Sequence, residues 1–253
     1  MNTLALGTAQ RANRLGVHRK RPTSPYADKV RSIFGGNLLE HWPLWDAAGS
    51  VAAGLARGAN GIYGGVTLGQ TGAGDGRTAP FFNGTTGYVD IYTTALNAPL
   101  SGQELTISLL FKTFDNAVWT DTLTRRFISF QVDSSNRLFF QKNPNTGMLF
   151  SYAAGGITKS VTRPLAGTNA NWTHAALTIS KSGDALKAYW NGVQEGTTQT
   201  GLGTWAGLLA PAITVIGASN NTPAAQHYGW IAHVAIGNRA LSAAEVAALA
   251  VMP

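Results

Sequence analysis

Apolar and polar residues alternate along most of this chain, and hardly any stretch repeats with the helical period. Leu105, Ile107, Leu109 and Phe111 fall on one side of an extended segment, with Thr106 and Ser108 on the other, the two-residue period of a strand. Segments of the same kind run over 87–92, 137–141, 148–152, 172–179, 213–216 and 230–236. Leu186–Trp190 runs into Asn191-Gly192, a dipeptide that accepts the positive φ of a tight primed turn, and Val193 opens the return strand of a predicted hairpin. The period switches only near the end. There Ser242 and Glu245 form a capping box ahead of Val246–Leu249 and predict one short C-terminal helix. Many short strands, a single terminal helix and 30 glycines imply an all-β fold of two antiparallel sheets packed as a sandwich.

The aromatic residues divide on this pattern. Trp42, Trp45, Trp172, Trp190 and Trp230 sit at strand positions expected in the core. Trp119, Trp205 and Tyr228 sit in Gly-rich or polar segments expected to form loops on the rim of the sandwich.

Composition narrows the classes. A chain of 253 residues makes one domain of generous size or two small ones. With no cysteine, a disulfide scaffold, a thiolate metal site and cysteine-based catalysis are all excluded. Seven Trp, seven Tyr and ten Phe argue against disorder. No apolar run approaches the roughly 20 residues of a membrane span. The first residues place a short apolar stretch before the basic ones, the reverse of a secretory signal. The expectation is a protein made and folded in a cytoplasm and released by another route.

The formal charge of +7 is unevenly spread. Residues 1–31 hold Arg11, Arg14, Arg19, Lys20, Arg21, Lys29 and Arg31 against Asp28 alone, while residues 32–253 carry 12 basic and 11 acidic side chains. Pro22 and Pro25 disfavour helix, so residues 1–31 are expected to be a basic extended arm and residues 32–253 the sandwich. The arm reads either as a docking segment for an acidic protein surface or for phosphates, or as a solubilising tail.

Five segments in order carry a family resemblance. Leu39–Gly49 resembles an opening strand before a small-residue turn, Asn60–Val66 the next short strand, and Ala79–Val89 the hairpin after it. Trp172–Thr178 with Tyr189–Val193 resembles a central pair, and Gly229–Ile236 with Arg239–Glu245 a closing strand and helix. Over roughly residues 38–250 the chain resembles the laminin-G-like jelly rolls of the concanavalin A-like lectin/glucanase superfamily, common in bacterial surface and phage proteins. The resemblance implies an antiparallel two-sheet jelly-roll sandwich. Tyr26–Val30 is similar to the way phage-encoded copies begin.

That superfamily includes glycoside hydrolases, which need two carboxylates flanking the scissile bond. The chain has only Glu40, Glu104, Glu195 and Glu245, none within four residues of another carboxylate. Asp115 and Asp121, flanking Trp119, are the one pair worth testing. His174 and His233 fall on strands and His227 in an Asn-rich loop, without a nucleophile elbow. Gly69–Gly76 reads as a flexible loop, since a strand follows it in place of the helix a phosphate loop requires. Calcium, the family's usual ion, wants six to eight oxygens. The corresponding stretches Ala53–Leu55 and Ile231–His233 lack acidic residues, leaving only Asp46 and Asp75. No catalysis, metal or cofactor is expected.

Carbohydrate binding needs less: flat aromatic rings for the C–H faces of a sugar and polar groups for its hydroxyls. The candidates are Trp119, Asp121, Trp205, Asn220 and Tyr228, with Arg11, Arg14, Arg19, Lys20 and Arg21 as the docking arm. Two functions are expected. One is a non-enzymatic virion structural protein, a phage capsid decoration or tail-associated adhesion module, assembled in the host cytoplasm. Its partners would be capsid or tail proteins and surface glycans, with homo-oligomers allowed. The other is a free-standing carbohydrate-binding module of a bacterial surface or polysaccharide-degrading system. Nucleic acid and membrane are not expected partners.

Overall fold

The computed structural model describes residues 23–144, 146–165, 170–222 and 224–252. Its elements in chain order are α1 (Pro25–Phe34), β1 (Leu38–Trp42), β2 (Val51–Ala52), β3 (Gly61–Gly64), β4 (Val66–Thr71), β5 (Thr78–Asn83), β6 (Tyr88–Asp90) and α2 (Thr94–Asn97). There follow β7 (Glu104–Thr113), α3 (Ala117–Thr120), β8 (Arg125–Gln131), β9 (Arg137–Asn143), β10 (Gly147–Ala154) and β11 (Ile157–Arg163). The last are β12 (Thr173–Ser180), β13 (Ala185–Trp190), β14 (Val193–Gln199), β15 (Val215–Ile216), β16 (Tyr228–Gly237) and α4 (Ala243–Ala250).

Two eight-stranded antiparallel sheets form the expected sandwich. One runs β14-β13-β12-β7-β16-β5-β4, with β1 also paired to β16, and the other β11-β10-β9-β8-β15-β6-β3-β2. The odd residues of β7, Leu105 to Phe111, point inward and meet Phe127, Phe140 and Phe150 of the facing sheet. Burying such side chains at about 1.5–3 kcal/mol each is the main force closing the sandwich. Trp42 and Trp190 belong to this core, as expected.

The outer face of the first sheet has a second apolar layer. Leu110, Ala176, Tyr189, Ala232 and Ala235 are covered there by Tyr26, Val30 and Phe34 of α1 and by Val246 and Leu249 of α4. Trp45, Trp172 and Trp230 are only half-buried, and Trp172 and Trp230 border this outer layer instead of the inner core. Bulges and strand ends shift the alternation that placed them inside. No comparable apolar cluster covers the outer face of the second sheet among the described residues.

Helix α1 corrects the expected arm boundary. The positively charged residues Arg11, Arg14, Arg19, Lys20 and Arg21 lie outside the described residues, but residues 25–31 are helical and docked, not extended. Pro25 occupies the first turn, where its missing N–H has no partner to lose, and the Ser24 hydroxyl accepts from Ala27 N. Tyr26, Val30 and Phe34, four apart, form the buried stripe.

Residues 69–76 also depart from the flexible loop expected. Gly69–Thr71 end β4, and Gly72 N donates to Arg77 O across a tight turn into β5. Asp75 is buried there, its Oδ2 lying 3.0 Å from His233 Nε2. His233 has φ +51° at a bulge of β16, which redirects its ring outward. Its Nδ1 lies 3.3 Å from His41 Nε2, and the Tyr26 ring packs on it at 4.6 Å. Arg77 Nη2 donates to Thr23 O, so this polar clasp fixes the start of α1.

Candidate functional site

An aromatic patch crosses the outer face of the helix-backed sheet beside the helices. Antiparallel pairing sets Trp230 opposite Phe81 and Tyr228 opposite Asn83, while Phe114 follows β7 and its N–H donates to Tyr228 O. Phe114 and Tyr228 stack at 4.6 Å with planes 14° apart. Phe81 tilts against Trp230 at 5.0 Å and against Tyr228 at 5.9 Å. Gly229 permits this approach, because at its φ of +141° an added Cβ would lie 2.0 Å from Lys112 O. Phe114 is 44% exposed, so a large ring faces solvent in the middle of the cluster.

Cations and polar groups rim the rings. Lys112 Nζ lies 5.1 Å from the centre of Trp230 and the Arg125 guanidinium 5.4 Å from Tyr228. Asp121 fixes Arg125 by accepting from Nε and Nη2 at 2.9 and 2.6 Å, and it also accepts from the buried Lys142. Burial alone would raise the Asp121 carboxyl, but hydrogen bonds from Lys142 and Arg125 outweigh it and hold the group below the ordinary carboxylate range. It is therefore ionised near neutrality and unsuited to act as a general acid. The exposed Asn83 holds an Asx turn by accepting from Thr85 N and Thr86 N. The indole Nε1 of Trp230 is buried without a hydrogen-bond partner.

The expected site residues do not converge. Tyr228 lies in the patch, and Asp121 reaches it through Arg125. Trp119 and Trp205, expected as exposed platforms, are 2% and 7% exposed. Trp119 lies in α3 against Phe111, Phe127 and Trp190, while Trp205 stacks on Tyr152 at 5.8 Å. Both complete the inner core from segments whose composition resembles loops. Asn220 lies in the loop after β15, in the second sheet and away from the patch, where Asn221 ties that loop to Asp90 of the neighbouring β6. Phe81, Phe114 and Trp230 were not among the candidates, because β5, the segment after β7 and β16 come together only through strand pairing.

The remaining candidates for chemistry are structurally engaged. Glu40, buried, accepts from the backbone N–H groups of His41, Ala56, Arg57 and Ala59. Glu104 accepts from Ser180 and Ser182, Glu195 pairs with Arg163, and Glu245 serves the α4 capping box and Arg239. Asp115 accepts from Val118 N. Asp46 accepts from Tyr63 OH. His174 and His227 are fully buried, and burial holds both imidazoles down to about 3. Each of these groups is thus buried or engaged in the hydrogen bonds and ion pairs of the fold itself.

The family model of the concanavalin A-like lectin/glucanases superfamily matches residues 83–247. No curated protein matches the chain. Among solved structures, domain 4 of AbnA, a GH43 extracellular arabinanase from Geobacillus stearothermophilus in complex with arabinotriose, aligns with a TM-score of 0.56 and 19% identity over 85% of this chain and 98% of that one. The receptor-binding domain of the botulinum neurotoxin C/D mosaic serotype aligns with a TM-score of 0.66 and 12% identity, over 85% of this chain and 51% of that one. Trypanosoma rangeli sialidase with sialic acid aligns with a TM-score of 0.61 and 14% identity, over 85% of this chain and 32% of that one. This chain therefore spans about half of the toxin domain and a third of the sialidase. At these identities the structures share the fold, and with the family model matching 165 of its 253 residues the chain belongs to the laminin-G branch of the concanavalin A-like lectin/glucanases superfamily.

Proposed function

We propose that the protein is a non-catalytic carbohydrate-binding module that stacks a sugar on the Phe81–Phe114–Tyr228–Trp230 patch. The observation that carries this reading is the solvent-facing Phe114, held parallel to Tyr228, where burying it under a ligand recovers free energy that its exposure forgoes. Lys112 and Asn83 at the edge are placed for sugar hydroxyls. The structural likeness to an arabinanase domain crystallised with arabinotriose makes arabino-oligosaccharides the first ligands to try.

Affinity electrophoresis through arabinan and a panel of neutral polysaccharides tests the patch. Phe114→Ala and Tyr228→Ala should each lower retention about tenfold, the scale of one lost stacking contact, with the melting temperature of Phe114→Ala unchanged. Retention of both variants equal to wild type would remove the patch from the site.

We also propose that the module is carried on a virus particle, as a phage capsid decoration or tail-associated adhesion protein, with residues 1–22 as the docking segment. The supporting observation is that the segment holds Arg11, Arg14, Arg19, Lys20 and Arg21 and no Asp or Glu, and immediately precedes a helix clasped to the sandwich. Mass spectrometry of density-banded particles should find the chain in fixed ratio to the major capsid protein. Its absence from the band would leave the free-standing carbohydrate-binding module.

A further inference from the structure

The outer face of the second sheet carries a basic cluster of its own. On β9, Leu138 and Phe140 point into the core, so Arg137, Phe139 and Gln141 project outward. The guanidinium of Arg126, from the neighbouring β8, lies 3.8 Å from the centre of the Phe139 ring, and that of Arg137 lies 5.8 Å from it. Two cations thus share one aromatic ring. Arg126 Nη1 donates to Ser129 Oγ, yet neither arginine has a carboxylate partner among the described residues. The carboxylates of adjoining segments are engaged: Asp90 accepts from Tyr92 N and Asn221 Nδ2, and Asp133 from Ser135 N and Asn136 N in the β8–β9 turn.

The cluster is also short of hydrogen bonds. Arg126 Nε, Arg137 Nε and Gln141 Oε1 are buried without partners. Asn220 Oδ1 is a fourth such atom, in the loop that borders β8 where Arg126 N donates to Ala225 O. Burial, then the charge of Arg137, lowers Arg126 from the usual arginine range to about 10. An uncompensated guanidinium pair with orphaned polar atoms is a destabilising arrangement, and one that a ligand of matching chemistry relieves. The ring holds Arg126 in place, so little side-chain freedom remains to be lost on binding.

We propose that this face is a second binding site, for a saccharide bearing an anionic group. The two guanidiniums present N–H donors for a carboxylate or sulfate, while the Gln141 carbonyl oxygen, opposite Arg126 in the strand register, accepts from a sugar hydroxyl. Both halves are needed, and a sugar acid supplies both, whereas duplex DNA offers the anion without the hydroxyl donors. The site shares no residue with the aromatic patch.

Isothermal titration of the full chain with short oligogalacturonates and with sulfated oligosaccharides tests the site and separates carboxylate from sulfate. Neutral arabino-oligosaccharides and duplex DNA serve as controls. Wild type should bind at least one acidic class, and Arg126→Gln with Arg137→Gln should weaken it about tenfold or more, the scale of one lost charged hydrogen bond. A variant with the five basic residues of the arm neutralised should bind as wild type does, as should Phe114→Ala. The glutamine variants should melt no lower than wild type, because they relieve like-charge repulsion; a purely structural role predicts a lower melting temperature. Acidic-sugar affinity unchanged in the double variant, no binding of either acidic class, or DNA binding that depends on the same two arginines would each overturn the proposal.

Discussion

Tryptophan shows how little a residue's neighbours in sequence say about its surroundings. Trp119 follows Asp115 and Asn116, and Trp205 lies between glycines. Both read as rim loops, yet both fill the core, because burial depends on which distant strands meet there. Tyr228 was legible as a partly exposed ring because its polar loop does end at the surface. The buried histidines carry a testable consequence. His174 and His227 remain neutral when folded down to about pH 3, while in the unfolded chain they take up protons near pH 6.5. Their contribution is fully present above pH 6.5 and is lost as pH falls towards 3, by about 1.4 kcal/mol per pH unit for each histidine. Urea unfolding midpoints should fall steadily from pH 6.5 to 4.5, and a flat profile would contradict the buried neutral rings.

At the level of elements, strands and the closing helix were readable because each carries its own period or cap. The β7 alternation and the Ser242–Glu245 box both describe observed elements. Helix α1 was missed. Two prolines dominated the reading, although Ser24-Pro25 and the fourfold spacing of Tyr26, Val30 and Phe34 were present to find it. The difference matters for any truncation. Removing residues 1–22 should leave the melting temperature unchanged, while removing residues 1–34 strips Tyr26, Val30 and Phe34 from the outer layer. At about 1.5–3 kcal/mol for each buried side chain, the shorter protein should lose most of a typical domain's stability and aggregate. Calorimetry of the two truncations checks this, and equal melting temperatures would show α1 to be dispensable.

Taken whole, the molecule is a sandwich with unequal outer faces. One is roofed by two helices and edged by aromatic rings; the other carries no second apolar layer among the described residues and is locally basic. The jelly roll was legible from five segments in order. The two surfaces were not: Phe81, Phe114 and Trp230 come from segments far apart in sequence, and Arg126 and Phe139, though on consecutive strands, meet only through the register of their pairing. Two independent surfaces would let one module engage a neutral and an acidic portion of the same polysaccharide, with the affinity gain that bivalent contact brings when both can be reached together.

The roof has a mechanical consequence. Tyr26 OH donates to Leu249 O and Lys29 Nζ to Val251 O, so the start of α1 and the end of α4 lie side by side. Tension drawn through the backbone from residue 23 to residue 252 is met first by the contact between these two helices, and the strands behind them bear load only after it parts. Built into a longer chain, the sandwich would hang from it like a pendant, its sheets unloaded while tension ran along that chain.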